Sequence, residues 1–367
     1  MDRSDWDLDP ELAYLNGGGF GIPPRALQQR LATVRRDVDA NPAGWFRDAW
    51  HDVHARAVAA LARSTGAPAD TLALLPNAST GLLLAFRTLD LRPGDVVLST
   101  DHAHEAVAAN LAGTGVEHRV VDTSGCGDDD ALVAAVLDRA DGVQAAVLAA
   151  VSAHTGEVLP VDRIVAGLAA GGVTTVVDGA HVPGHLPVAL RTGAPDVWIG
   201  NLHKWACGPR PLGVVHVAPS LHGRVPPLVP SIGPTSPFPD NAVWPGTVDG
   251  ALVAVVPEVV EQALGFLHAE ARNRGVADDG AELVAAAIGA RVPERGAAGW
   301  LRAIQIDGRG AGREAALALR VGLARRGVEV RVSAWRDRLL VRTSTHVFTT
   351  VEDHERLAAA LQDELAT

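Results

Sequence analysis

The chain has 367 residues, of which 47% are hydrophobic and 20% charged, so it can build a large core and two or three domains. Its formal net charge of −11, without a basic cluster, argues against nucleic-acid binding. No signal-peptide pattern or membrane-length apolar run is found, which predicts a cytoplasmic protein that binds no membrane. The two cysteines, Cys126 and Cys207, predict neither a disulfide framework nor a metal site.

Short β-rich runs alternate with helical patterns through the first two thirds of the chain. Two amphipathic helices are predicted first, over residues 24–39 and 45–63. Seven strands are then predicted at residues 72–76, 96–100, 117–122, 145–152, 174–178, 196–200 and 212–218. The helices between them are predicted at residues 80–89, 103–111, 129–139 and 161–170. Near-continuous apolar strands that alternate with helices favour a parallel sheet covered on both faces.

The composition changes over residues 219–245, where proline is frequent enough to exclude regular elements and to predict a long ordered loop. Beyond this loop the pattern predicts a smaller α+β region. Its helices are predicted at residues 253–274, 278–290, 312–326 and from 351 onward, and its strands at 301–306, 328–332 and 339–343.

The strongest chemical signal is an aspartate and a lysine that follow neighbouring strands. Lys204 is the only lysine among 32 basic residues, and arginine cannot replace a lysine whose neutral amine must attack a carbonyl. Asp178 ends one strand and the strand at 196–200 leads to Lys204, so both reach the carboxyl edge of the sheet, where ligands bind. Pyridoxal phosphate requires such a pair, because the amine forms a Schiff base and the acid keeps the ring nitrogen protonated. The alternative is a structural ion pair.

Three further motifs are consistent with a ligand site. Residues 76–81 (PNASTG) open a helix where backbone N–H groups favour an anion and Ser79 adds a hydroxyl, although an ordinary helix cap explains the same residues. An imidazole of His102 or His104 could stack on an aromatic cofactor; metal binding by the pair is disfavoured because alternating side chains point apart. The glycines of residues 16–21 (NGGGFG) allow close backbone approach to a ligand or a neighbouring chain.

In this order the motifs resemble the class V aminotransferase family of fold-type I pyridoxal phosphate enzymes. Within it they are most similar to the isopenicillin N epimerase-like and cysteine-conjugate C–S lyase-like branch. The resemblance extends from about residue 14 to 349 and rests on Tyr14-Leu15-Asn16, Asn77-Ala78-Ser79-Thr80-Gly81, Asp101-His102, Thr155-Gly156, Asp178-Gly179-Ala180-His181, Gly200-Asn201-Leu202-His203-Lys204-Trp205, Pro245-Gly246-Thr247 and Val341-Arg342. These motifs are specific for the cofactor and much less specific for the reaction.

The resemblance implies an α/β fold in three parts. An N-terminal segment would span residues 1–20, and a large pyridoxal phosphate-binding domain with a mostly parallel seven-stranded sheet would span residues 21–250. A small C-terminal α+β domain would span residues 251–367. The resemblance also implies a homodimer whose active sites are shared between subunits.

Each site residue receives a role from the same resemblance. Lys204 would be the catalytic residue, joined to the cofactor and moving the Cα proton, while Asp178 would bind the pyridine nitrogen. His181 would hydrogen-bond the phenolic oxygen, and His104 would stack on the ring. The phosphate would be held by Ala78, Ser79, Asn201 and His203, and by Thr247 acting on the partner subunit's cofactor. The amino-acid substrate would be bound by Arg342, through its carboxylate, and by Asn16.

One departure from the family pattern reduces the number of candidate reactions. No cysteine lies in the segment before Arg342, where cysteine desulfurases carry their persulfide nucleophile, so persulfide transfer is disfavoured. We predict C–S β-elimination from an L-amino acid or cysteine S-conjugate, in thiol or specialised-metabolite (antibiotic) biosynthesis, because this reaction needs no base beyond Lys204. An amino-acid epimerase, a decarboxylating oxidative deaminase of an S-glycosyl-cysteine and an aminotransferase remain alternatives, as does a cofactor-bound regulatory module without turnover.

Overall fold

The computed structural model describes residues 1–191, 193–230, 236–293, 299–307 and 310–366. The strands are β1 (Ala13–Tyr14), β2 (Leu72–Leu75), β3 (Val96–Thr100), β4 (Glu117–Val121), β5 (Ala145–Ala149), β6 (Thr174–Gly179), β7 (Val197–Asn201), β8 (Gly213–Val217), β9 (Leu301–Ile306), β10 (Val328–Glu329), β11 (Arg331–Trp335) and β12 (Arg338–Ser344). The α-helices are α1 (Arg25–Ala40), α2 (Pro42–Asp48), α3 (Trp50–Thr65), α4 (Ala78–Leu89), α5 (Glu105–Leu111), α6 (Asp129–Leu137), α7 (Val161–Ala170), α8 (Gly250–Ala254), α9 (Val256–Leu267), α10 (Glu270–Ile288), α11 (Arg313–Arg325) and α12 (Val351–Ala366). Short 3₁₀ helices lie at Arg3–Asp5, Ala69–Thr71, Pro219–Arg224 and Asp240–Ala242.

The central sheet has seven strands in the order β2-β8-β7-β6-β5-β3-β4. Strand β8 runs antiparallel to both of its neighbours, and every other pairing in this sheet is parallel, so six strands share one direction. The predicted mostly parallel seven-stranded sheet is therefore confirmed. Because these six strands point the same way, the loops that follow β2, β3, β6 and β7 leave the sheet at one common edge.

The inner strands form because their sequences are apolar on both faces. Strands β3, β5, β7 and β8 are buried at every position, and helices cover the sheet on either side. Strand β4 (EHRVV) lies at the sheet edge, where its polar side chains remain accessible. Burial on both faces is the property that the near-continuous apolar runs predict.

A smaller antiparallel sheet, in the order β11-β12-β9, is covered by α10, α11 and α12. The N-terminal segment connects to this region, because β1 pairs in parallel with β10. The domain boundaries at residues 20 and 250 stay a prediction. Within the residues described, no helix combines the length and apolarity needed to cross a membrane.

Three elements that the sequence predicts as continuous are interrupted in the structure. The helix predicted over 45–63 is interrupted at Ala49, so that α2 and α3 place aromatic rings from both helices against Trp244. The helix predicted over 253–274 ends at Leu267. A new helix begins at Glu270 and continues to Ile288, through residues 275–277, where the sequence predicted a break between two helices. The strand predicted over 328–332 is divided, since β10 pairs with β1 whereas β11 pairs with β12.

Candidate active site

The common edge of the central sheet opens into a cavity of about 400 Å³. Asp178 is the next-to-last residue of strand β6, and Lys204 lies three residues after the adjacent strand β7; both line this cavity. Nine of the predicted site residues line this cavity: Ala78, Ser79, His104, Asp178, His181, Asn201, His203, Lys204 and Arg342. The topology thus brings together residues that are up to 264 positions apart in the chain, from Ala78 to Arg342.

The amine of Lys204 is poised to lose its proton. Its pKa is lowered from 10.5 to about 8, mainly by burial. The charge of Asp178 opposes this shift, and the positive charges of Arg342 and Arg331 add to it. Asp178 is only 8% exposed and accepts a hydrogen bond from the backbone N–H of Ala180 at 2.9 Å. An amine that can lose its proton near pH 8 and a buried acidic side chain therefore face the same cavity.

His181 is held between Lys204 and Trp205. The indole Nε1–H of Trp205 donates to His181 Nδ1 at 3.2 Å, and His181 Nε2 lies 3.2 Å from Lys204 Nζ. Burial, followed by the charge of Lys204, lowers the pKa of His181 well below its usual value, so the ring is neutral. Because an indole nitrogen can only donate, the single proton of His181 resides on Nε2 and points toward the cavity.

Helix α4 begins at the opposite wall of the cavity. Asn77 caps it by accepting a hydrogen bond from the N–H of Thr80 at 3.0 Å, and the first two helical residues, Ala78 and Ser79, line the cavity. The N–H of Ala78 donates to Asn201 Oδ1 at 2.8 Å, so Asn201 approaches α4 directly. His203 Nδ1 contacts the carbonyl oxygen of Leu212 at 2.9 Å, which fixes the orientation of its ring.

The glycine run at 16–21 packs against the backbone that carries Lys204. The N–H of Gly21 donates to the carbonyl of His203 at 2.9 Å, and a Cβ atom at Gly21 would overlap the carbonyl oxygen of Lys204. A Cβ atom at Gly18 would lie 2.7 Å from the Trp205 ring. The close approach predicted for these glycines is therefore made to the lysine segment of the same chain.

Two arginines enter the cavity from the smaller sheet. Arg342 is 1% exposed, donates to the carbonyl of Ala153 at 2.5 Å, and has a buried Nε without a hydrogen-bond partner in the described part of the chain. Burial, followed by the charge of Arg331, lowers the pKa of Arg342 to about 9. Arg331 was not predicted as a site residue; only its place opposite Arg342 in a hairpin could have pointed to it.

Other singled-out residues lie elsewhere. Asn16 is buried beneath the glycine turn and Thr247 is exposed, and neither is on the cavity wall, so their roles stay predictions. His102 lines a separate cavity, which divides it from His104. Burial raises the pKa of Cys207 to about 12, so its thiol is not an activated nucleophile. Within the described residues no group of three or more histidine, cysteine or acidic side chains is placed to hold a metal ion.

The sequence model of the family described as Aminotransferase class-V matches residues 47–235, which is just over half of the chain. The chain belongs to the class-V aminotransferase family. The cofactor of this class-V enzyme is pyridoxal phosphate. The cavity fits that group, because it offers an amine at Lys204, an acid at Asp178 and an uncovered helix start at Ser79 for the phosphate.

Named relatives of this class-V enzyme differ in reaction. An isopenicillin N epimerase of Streptomyces clavuligerus is 31% identical over 63% of this chain and 61% of its own length. A putative L-cysteine desulfhydrase 2 of Oryza sativa subsp. japonica is 30% identical over 69% of this chain and 58% of its own length. The chain thus spans less than two thirds of both relatives. The solved structure of the cystine C–S lyase C-DES with its product cysteine persulfide superposes with a TM-score of 0.80 at 19% identity, covering 96% of this chain and 98% of that one, which shows the shared fold.

Proposed function

We propose that this class-V enzyme catalyses C–S β-elimination from an L-cysteine S-conjugate. The main support for the proposal is the amine of Lys204, whose pKa of about 8 allows it to exchange a proton near neutral pH. The same cavity contains Arg342, which can bind a carboxylate. The relatives support the substrate class, since one bears the name of a cysteine desulfhydrase and a neighbour in fold is a cystine C–S lyase.

Each residue on the cavity wall has a separate role in the proposed reaction. Arg342 binds the substrate carboxylate, Asp178 and His181 hold the cofactor at its ring nitrogen and phenolic oxygen, and Ser79 with the start of α4 receives the phosphate. When bound, pyridoxal phosphate supplies a carbonyl that captures the substrate amine and a ring that accepts electrons. Lys204 takes the proton from Cα, and the Cβ–S bond breaks with its electron pair leaving on sulfur. Addition of one water then yields the thiol, pyruvate and ammonia.

One base is sufficient for this reaction, and Lys204 supplies it. His104 and His181 each accept a hydrogen bond at Nδ1, from the N–H of Ala106 and from the indole of Trp205, so their neutral rings carry the proton on Nε2. Neither ring therefore has a free lone pair with which to act as a second base. No cysteine lines the cavity in the described part of the chain, which argues against persulfide transfer.

The test is a panel of S-substituted L-cysteines with pyruvate measured by lactate dehydrogenase. Pyruvate formation by the wild type and none by Lys204→Ala supports the proposal. Lys204→Arg is the matched variant, because it keeps a positive charge but cannot act as a base; pyruvate formation by Lys204→Arg would refute the role of the amine.

Epimerisation is the second candidate, because a relative at 31% identity is named an epimerase. The same panel in heavy water separates the two reactions. Deuterium incorporation at Cα with inversion and without pyruvate would replace the lyase proposal by an epimerase.

We also propose a homodimer with shared active sites in the cytoplasm. Thr247 supports it, since it is exposed on the outer surface, near the start of α8, and is absent from the cavity of its own chain. Sedimentation equilibrium should give twice the chain mass. A mixed dimer can be made from one Thr247→Ala subunit and one Lys204→Ala subunit. The site that keeps Lys204 then receives an intact Thr247 from the other subunit, and its cofactor affinity measures the contribution of Thr247 across the interface.

A further inference from the structure

Arg331 and Arg342 lie directly opposite each other in the antiparallel pair β11–β12. Directly opposite residues of an antiparallel pair project from the same face of a sheet, with Cβ atoms about 4.5–5.5 Å apart. Both side chains line the cavity. Two guanidinium groups therefore enter the substrate side of the cavity next to each other.

The protein does not neutralise this pair. The Nε atoms of both arginines are buried without a hydrogen-bond partner in the described residues. Asp178 is the only acid among the described wall residues, and it faces Lys204. Glu105, at the start of α5, raises the pKa of Arg331, but burial has the larger effect and lowers it. Buried charges without partners are costly, so this arrangement is suited to anions brought by a ligand.

One carboxylate can occupy only one bidentate guanidinium fork fully. The proposed function assigns the α-carboxylate of the substrate to Arg342, and the following inference rests on that assignment. We propose that Arg331 binds a second anionic group, so that the site selects L-α-amino acids whose side chain ends in a carboxylate or sulfonate. The conjugates cleaved by the enzyme would then carry an acid beyond the sulfur atom.

Binding to the holoenzyme tests this without turnover. The probes are two acid–amide pairs that lack a sulfur leaving group, L-aspartate with L-asparagine and L-glutamate with L-glutamine. Their dissociation constants are measured by calorimetry and by the absorbance change of the bound cofactor. For at least one pair the wild type should bind the acid about tenfold or more tighter than the amide, as expected of a charge-assisted contact.

Substitutions assign the effect to one arginine. Arg331→Gln should remove the preference for the acid and leave the affinity for the amide unchanged, and Arg331→Lys should restore part of the preference. Arg342→Gln should weaken acid and amide alike. Arg338→Gln is the matched control, since it removes an exposed charge outside the cavity from β12, the strand that carries Arg342, and it should behave as the wild type.

Three results would overturn the inference. A wild type that does not discriminate acid from amide has no second anion site. Equal weakening of both probes by Arg331→Gln would assign Arg331 to the α-carboxylate instead. Loss of cofactor absorbance in Arg331→Gln would assign it to the cofactor. Because no product is measured, an enzyme that forms no pyruvate can still pass this test, and a lyase can still fail it.

Discussion

Replacing Asp178 with asparagine should lower the pKa of Lys204 below its value in the wild type. The carboxylate of Asp178 is the group that raises this pKa against the effects of burial and of two arginines. Since Lys204 is the only lysine of the chain, its titration can be observed without interference from any other ε-amino group.

The expected values follow from the site. With a pKa of about 8, about one quarter of Lys204 is neutral at a pH of about 7.5, compared with about 0.1% for an exposed lysine. An opposite charge within about 4–6 Å shifts a pKa by about 1–3 pH units. We therefore expect the midpoint in Asp178→Asn to fall by about one pH unit or more. Below its midpoint the amine is protonated and unreactive, and above it the amine is free.

The assay is a pH titration of cofactor-free protein that carries ¹³Cε-labelled lysine, followed by NMR. Lysine labelling gives one resonance from one residue. The wild type should titrate with a midpoint near 8, and the denatured chain near 10.5. A midpoint near 10.5 in the folded wild type would refute the burial of the amine. An unchanged midpoint in Asp178→Asn would refute the coupling between the two side chains.

The remaining predictions concern stability and substrate binding. Gly21→Ala should destabilise the protein by about 1–3 kcal/mol in chemical denaturation, because the methyl group overlaps a backbone carbonyl. Gly265→Ala, in open space on α9, should stabilise it by about 0.5–1 kcal/mol. Arg342→Gln should raise the KM for amino-acid substrates at least tenfold; an unchanged KM would reject its carboxylate role. Trp205→Phe should remove the donor to His181 and lower stability by about 1–3 kcal/mol; an unchanged denaturation midpoint would mean that this hydrogen bond contributes little.

The sequence was sufficient to predict the central sheet and the approach of Asp178 and Lys204 to one edge of it. Strands buried on both faces must be apolar throughout, so their positions are visible in the sequence. Asp178 and Lys204 follow two such strands, and parallel strands deliver their following loops to one edge. A single lysine in an arginine-rich chain added a chemical reason to look there.

The second arginine could not be predicted in the same way, because its place depends on a hairpin register. The two strands are joined by Arg336 and Asp337, whose φ angles are 47° and 54°. Two-residue turns with positive φ at both positions are usually signalled by Asn-Gly, Asp-Gly or Gly-Gly, and Arg336-Asp337 matches none of these. Because the position of the turn cannot be read from the sequence, the sequence does not show that Arg331 lies opposite Arg342.

The pairing of β1 with β10 has a consequence for biosynthesis on the ribosome. The glycine turn that packs on the lysine segment follows directly after β1, whose partner is made more than 300 residues later. At about 5–20 residues per second, translation leaves an interval of about 15–60 s between them. In the later part of that interval, once residue 204 has been added, the nascent chain contains Lys204 and the strands around it, but the segment that closes over them has no docking strand. Completion of the cofactor pocket therefore belongs to the last stage of synthesis.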